Sequence, residues 1–230
     1  MGAGAEREAW ISAVQAVAAD RDLRYEPVGG INARDAPVAL CPGGSNRLTG
    51  ELAPGFWGSS CDANEHETGG FFSKTIVPGA VLAKAHMPDL TSVVPVFDVE
   101  SIEATPDEQL RKRSSRRVQF ESIDFNQRFI ATVPKDHDPI ALRELFSPGF
   151  LTWTTTMDRE VDFGASDRQL YFTWRLRELN RDELELALDN AGELFKRVRS
   201  ELAEGGVAPY PTGPWYAGLE HFPTHPQASS

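Results

Sequence analysis

The residues best suited to chemistry form a short cluster early in the chain. Cys61-Asp62 is followed by Glu65-His66-Glu67, so a thiol, an imidazole and carboxylates occur close together. These side chains can bind zinc, and a Cys with a distant His can form a nucleophilic pair. However, the spacing is neither Cys-x-x-Cys nor His-Glu-x-x-His, and no second His follows at helical spacing. We therefore predict a polar surface loop around His66, after a short strand at Phe56–Ala63, with no metal, no cofactor and no catalytic residue.

Three other segments with reactive side chains have simpler explanations. Asp136-His137-Asp138 could orient an imidazole, but Asp138 is better read as the cap of a helix that starts at Pro139. The glycine-rich segment 41–45 lacks the Lys-Ser/Thr of a phosphate loop and reads as a turn. Glu121 and Asp124 lie too close in sequence to indicate opposed glycosidase carboxylates.

The strongest local anomaly of charge is basic. Five of the seven residues from 111 to 117 are cations, namely Arg111, Lys112, Arg113, Arg116 and Arg117. This group could bind an anion or an acidic partner, or it could neutralise the acidic surface of the chain itself. The charged stretch Thr105–Arg117 reads as a linker, so a subdomain boundary is possible at 104–117.

Composition indicates an ordinary folded protein. The chain has 230 residues, of which 40% are hydrophobic and 25% charged, and its net charge of −11 disfavours nucleic acids and anionic membranes as partners. No apolar run approaches the roughly 20 residues of a membrane-spanning helix, and the first residues do not resemble a signal peptide. We expect a soluble cytoplasmic protein in which Cys41 and Cys61 are reduced thiols.

Hydrophobic periodicity predicts an α+β fold with a mostly antiparallel sheet. The N-terminal helix covers Glu6–Ala19, and a short helix pair begins at Pro139 and near Pro148. A hairpin follows, with strands at 161–164 and 169–174. The last helix begins after Asn180, which can act as the N-cap, with Glu183 as the partner of a capping box. Its apolar stripe packs on the sheet and contains Leu184, Leu188, Ala191, Phe195, Val198 and Leu202.

The segment Val118–Val133 is predicted as one strand whose buried face changes phase. Val118 and Phe120 lie at even positions, whereas five later apolar residues lie at odd positions, namely Ile123, Phe125, Phe129, Ala131 and Val133. Since a shift of one residue turns side chains to the other face, we expect a bulge or tight turn near Ser122. Asn126 interrupts this strand, and we expect its amide to bond neighbouring backbone, with a ligand contact as the alternative.

We predict one domain over residues 1–206 and a separate tail over 207–230. The tail is rich in proline and contains Trp215, Tyr216 and Phe222. These aromatic side chains are typical interface anchors, so the tail either contacts a partner or folds back over its own domain.

The block Glu121-Ser122-Ile123-Asp124-Phe125-Asn126-Gln127-Arg128-Phe129 resembles the most recognisable motif of an uncharacterised protein family from high-GC bacteria. That motif runs acidic-Ser, two variable positions, Phe-Asn, two variable positions, Phe. The resemblance continues through the helix pair, the hairpin and the capped last helix, and it is weak before residue 70. Members of the family often carry membrane helices, which this sequence lacks, and the family supplies no activity to transfer.

Two functions remain open from the sequence. The leading prediction is a non-enzymatic interaction or scaffold protein that binds another protein or a second copy of itself. The alternative is a small-molecule-binding domain or hydrolase with a pocket near Asn126, Trp153 and Trp174. A sheet packed solid with Phe and Leu favours the first, and a cavity lined by converging polar groups favours the second.

Overall fold

The predicted α+β class is confirmed. The computed structural model describes residues 3–28, 45–54, 56–63, 80–86, 96–102, 115–157, 160–166 and 169–204. Within these ranges the helices are α1 (Ala3–Asp20), α2 (Ile123–Arg128), α3 (Pro139–Leu145), α4 (Pro148–Thr155) and α5 (Arg181–Glu204). The strands are β1 (Arg24–Val28), β2 (Ser45–Ala53), β3 (Phe56–Ala63), β4 (Ala80–His86), β5 (Phe97–Ser101), β6 (Ser115–Val118), β7 (Phe129–Pro134), β8 (Val161–Ser166) and β9 (Gln169–Arg175).

All these strands belong to one sheet. Their order is β1-β2-β3-β4-β9-β8-β5-β7-β6, and every pairing is antiparallel. The β8–β9 hairpin therefore lies between β4 and β5. Residues 115–117, at the end of the proposed subdomain boundary, form part of β6, while residues 103–114 lie outside the described ranges. The strands on either side of that boundary thus share one sheet.

The described helices cover one face of this sheet. Helices α1 and α5 contact the half that contains β2, and α5 also contacts β4 and β9. The predicted stripe of α5 is buried from Leu184 to Val198, with Leu188 and Phe195 at 0% exposure. Asn180 caps the helix, because its Oδ1 accepts a bond of 2.9 Å from the Glu183 N–H. The Glu183 carboxylate accepts the N–H of Arg177, so it ties the segment before the cap to the first turn.

The predicted helix pair is also confirmed. Asp138 caps α3 by accepting the Ile140 N–H at 2.9 Å, and Ser147 caps α4 by accepting the Phe150 N–H at 3.1 Å. Glu201 on α5 accepts both the N–H and the hydroxyl of Ser147, at 2.9 and 2.7 Å. The helix pair is therefore bound to the last helix by a bidentate contact at the α4 cap.

The single strand predicted over Val118–Val133 is wrong. Strand β6 ends at Val118, helix α2 occupies Ile123–Arg128, and β7 begins at Phe129. The phase change near Ser122 is real, but its cause is a helix. The Ser122 hydroxyl caps that helix by accepting the Phe125 N–H at 3.2 Å. Phe125 and Phe129 are four residues apart, a spacing that fits one face of a helix as well as one face of a strand.

A cluster of phenylalanine rings fills the core under α2, α3 and α4. Phe146 lies at its centre, with ring centroids 4.5 Å from Phe150, 5.2 Å from Phe97 and 5.7 Å from Phe120. Both stacked and edge-on ring pairs occur in this cluster, and the edge-on arrangement of Phe146 and Phe97 is one that aromatic quadrupoles prefer. The cluster also includes Phe125, Phe129 and Phe163. This part of the core is therefore solid aromatic packing.

Candidate functional site

The face of the sheet opposite these helices, called the second face below, carries polar side chains in register. Tyr171 on β9 lies opposite Gly164 on β8, which lies opposite Asp98 on β5. The Tyr171 hydroxyl donates a hydrogen bond to Asp98 Oδ1, so the tyrosine side chain crosses the intervening strand β8. A Cβ at Gly164 would lie 2.3 Å from the Tyr171 hydroxyl oxygen and 2.4 Å from the Phe97 carbonyl oxygen. Glycine is therefore required for Tyr171 to reach Asp98.

Asp162 lies on the same face, two residues before Gly164. Its Oδ1 accepts the Ser101 N–H at 2.9 Å, just beyond the last residue pair between β5 and β8. Burial raises the pKa of the Asp162 carboxyl to about 6, and the nearby charges of Asp98 and Glu160 act in the same direction. The Ser101 N–H and Arg175 oppose this shift because they favour the carboxylate.

These side chains define the Asp98–Asp162–Tyr171 cluster. Glu100 lies two residues after Asp98 in β5, on the same face, and it is buried. Arg175 on β9 forms an ion pair with Glu160, the residue before β8. A carboxyl whose pKa lies near 6 can exchange a proton close to neutral pH, which is a property of acid–base sites and of strained ionic networks alike. Among the described side chains, no three of His, Cys, Asp and Glu gather in a way that could hold a metal ion.

The side chains of the proposed pocket are each engaged by a different neighbour. Asn126 Oδ1 accepts the Phe120 N–H at 3.1 Å, and its Nδ2 donates to the Phe120 carbonyl at 2.6 Å. The expected bond to neighbouring backbone is thus present, although it forms from a helix and not from a bulge. Arg197 stacks over the Trp153 ring at 4.5 Å, while Trp174 is buried in the core beside Phe172.

Part of the basic group lies among the described residues, and the tail lies outside them. Arg116 and Arg117 lie on the edge strand β6 and are exposed, and Arg116 donates to the Lys135 carbonyl at 3.0 Å. These two residues were predicted as linker, but they pair with β7. Arg111, Lys112 and Arg113 fall outside the described residues, as do Trp215, Tyr216 and Phe222.

The segment Cys61–Glu67 is divided in the same way. Cys61 is buried in β3, where it packs with Leu82 and Tyr171, and this strand has the bounds predicted for it, Phe56–Ala63. Asp62 is also structural, because its carboxylate accepts bonds from Trp10 Nε1 at 2.8 Å and from Asn46 Nδ2 at 2.7 Å. It thereby fixes α1 to the sheet. Residues 64–67 lie outside the described ranges.

The Asp98–Asp162–Tyr171 cluster was not anticipated from the sequence. Each member is a polar residue between two apolar ones, as in Phe97-Asp98-Val99 and Leu170-Tyr171-Phe172. That alternation indicates a half-buried strand. It does not indicate which strands become neighbours.

Comparison with known proteins adds no relative: no protein-family model matches the chain, and no curated protein matches it. In the described part of the chain, no helix is both long enough and apolar enough to cross a membrane.

Proposed function

We propose that this chain is a non-enzymatic interaction domain whose partner is another protein. The observation that carries the proposal is the use of Asn126. Both polar atoms of its amide bind the Phe120 backbone, beside a core filled by aromatic rings. The amide named for the alternative ligand pocket is thus used by backbone contacts within the fold.

The same contacts support a structural explanation of the family resemblance. In the block Glu121–Phe129, Ser122 caps α2, Phe125 and Phe129 fill the core, and Asn126 ties α2 to Phe120. These are four of the five fixed positions of the motif, and the fifth, Glu121, is exposed, so the proposed family shares a local fold and need not share a reaction. The remaining positions include Ile123, which is 70% exposed. They are the ones free to vary with the partner.

The compartment and the class of partner belong to the same proposal. A cytoplasmic location is supported by the low cysteine content, because two cysteines in 230 residues do not make the disulfide framework typical of oxidising compartments. A protein partner is favoured over a nucleic acid because the net charge of −11 repels phosphate backbones.

The Asp98–Asp162–Tyr171 cluster favours a second candidate, a small-molecule site on the second face. Its support is the raised pKa of Asp162, about 6, together with the contact that the Tyr171 hydroxyl makes with Asp98 across β8. Perturbed carboxyls of this kind accompany functional sites, although structural networks perturb them too. In this second candidate the ligand binds on the second face of the sheet, and not in the pocket predicted near Asn126, Trp153 and Trp174.

One pair of experiments separates the two functions. The tagged chain is used to capture partners from extract of its native cells, and the purified chain is screened by thermal shift against a library of metabolites. The proposal expects a stoichiometric protein partner and no stabilising metabolite. A metabolite that raises the melting temperature of the native chain, but not of Tyr171→Phe, would overturn the proposal in favour of the second-face site.

A further inference from the structure

Strand β6 is the last strand at one end of the described sheet. It follows β7 as the last strand in the sheet order, and within the described chain it pairs on one side only. In an antiparallel ladder, alternate residues direct their N–H and C=O groups to opposite sides. About half of the backbone groups of Ser115–Val118 therefore point away from β7. Such an edge is a template for a further strand.

The opposite edge of the sheet is less suited to this role. Strand β1 contains Pro27, which has no N–H to donate to a new strand. Helix α1 also packs against β1. Strand β6 contains no proline, and its neighbour α3 leaves Ile140 54% exposed. An added strand at β6 would thus find both backbone groups and an apolar side chain close by.

The charges on β6 indicate which strand fits. Arg116 and Arg117 are adjacent and exposed, so they project toward opposite faces of the sheet and place a cation on each. Pairing of two β6 edges from separate copies would bring these like charges together, which is unfavourable. A strand bearing carboxylates would instead be attracted, and it would meet a locally basic edge on a chain whose net charge is −11.

We propose that the β6 edge binds an extended acidic segment of a partner protein by strand addition. Backbone hydrogen bonds to Ser115–Val118 supply the affinity, and carboxylates placed near Arg116 and Arg117 set the preference for acidic sequences. The inference rests on the proposed function, since it names the surface and the kind of partner for the same interaction.

The test uses the full chain and a displayed library of random ten-residue peptides. We expect selected peptides to alternate Asp or Glu with apolar residues, and to slow backbone hydrogen exchange at residues 115–118. The double variant Arg116→Gln/Arg117→Gln should bind these peptides about tenfold more weakly. The control Arg24→Gln/Lys196→Gln removes two exposed cations elsewhere and should bind as the native chain does. Selected peptides that protect other strands, or equal binding by both variants, would overturn the inference.

Failure of this inference can be distinguished from failure of the proposed function. If the native chain captures a partner from extract and the Arg116→Gln/Arg117→Gln variant captures it equally well, the interaction stands and the β6 surface is wrong. If the native chain captures no partner, the proposed function itself fails, and peptide binding at β6 does not rescue it.

Discussion

On the face of the sheet under the helices, stability comes from burial of apolar rings, whereas on the second face it depends on how charges are paired. Phe97 and Phe163 pack into the aromatic cluster of the covered face. Asp98 and Asp162, their neighbours on the same strands, are held on the second face by Tyr171 and by the Ser101 N–H. The stabilisation that comes from apolar burial does not depend on pH, whereas the contribution of a buried carboxyl to the free energy of unfolding does. The two faces should therefore respond differently to mutation and to pH.

The largest effect is expected at the covered face. Leu188→Asp replaces a fully buried side chain of α5 with a carboxylate. Loss of the leucine alone costs about 2–5 kcal/mol, and an unpaired buried charge adds to that cost. We expect insoluble or molten protein, measured by near-ultraviolet circular dichroism and thermal melting. Leu186→Asp, at a position 39% exposed on the same helix, is the matched control and should melt almost as the native chain does. Equal melting of both variants would contradict the packing of α5.

The contribution of the second face to the free energy of unfolding should depend on pH. The folded pKa of Asp162 is about 6, above its usual value of 3.8, so the folded state holds this proton more tightly than the unfolded state does. The resulting stabilisation is fully present below pH 3.8 and is lost as the pH rises through 6. At neutral pH the loss amounts to about 3 kcal/mol, from 1.36 kcal/mol per pKa unit.

Asp162→Asn should remove this penalty, because an amide stays neutral and its oxygen can still accept the Ser101 N–H. We expect the variant to be more stable than the native chain near pH 7.5 and to lose most of that advantage near pH 4.5, by urea unfolding. Ser12→Ala, which removes a hydroxyl on the exposed side of α1, controls for general effects of pH. A stability difference that does not change with pH would show that Asp162 is not held as described.

Asn126 tests whether a polar group next to the aromatic cluster is structural. Asn126→Ala leaves the buried Phe120 N–H and carbonyl without their partner, at a cost of about 1–3 kcal/mol. Thermal melting should fall clearly, while Gln127→Ala, at the exposed neighbour, should change it little. A neutral effect of Asn126→Ala would return this residue to the candidates for ligand contact.

The two faces also differ in how far the sequence predicts them. The caps at Asp138, Ser147 and Asn180 are local signals, since donor and acceptor lie two or three residues apart, and helices α3, α4 and α5 could be predicted. Helix α2 was missed because the spacing of Phe125 and Phe129 fits a strand and a helix equally. For a helix of six residues, local propensity is too weak to decide.

The second face was missed for a different reason. Asp98 and Tyr171 are 73 residues apart, and they meet only because the β8–β9 hairpin enters the sheet between β4 and β5. Gly164 gives one local indication of the site, because a glycine inside a strand, having no side chain, often marks a position that another group approaches closely. The order of the strands follows from the whole topology, so a site assembled by cross-strand register lies beyond what a single sequence reveals.

The smallest effect is expected at the β6 edge, and it sharpens the contrast within the second face. Arg117 lies opposite Thr132, which lies opposite Asp98, yet it is exposed, as is Arg116. Exposed charges contribute little to stability because water and salt screen them. Arg116→Gln/Arg117→Gln should therefore change the free energy of unfolding by less than about 1 kcal/mol, in low salt and in about 0.5 M salt. Arg47→Gln is the informative counterpart, since Arg47 is only 1% exposed and pairs with Glu26 at 3.3 Å. The shorter glutamine leaves part of this buried site unfilled and removes one of the two ion pairs of Glu26, which keeps its contact with Arg24. A fall in melting temperature for the β6 variant as large as that of Arg47→Gln would mean that the edge arginines hold the sheet together, and a surface that the fold itself needs would be a poor place for a partner strand.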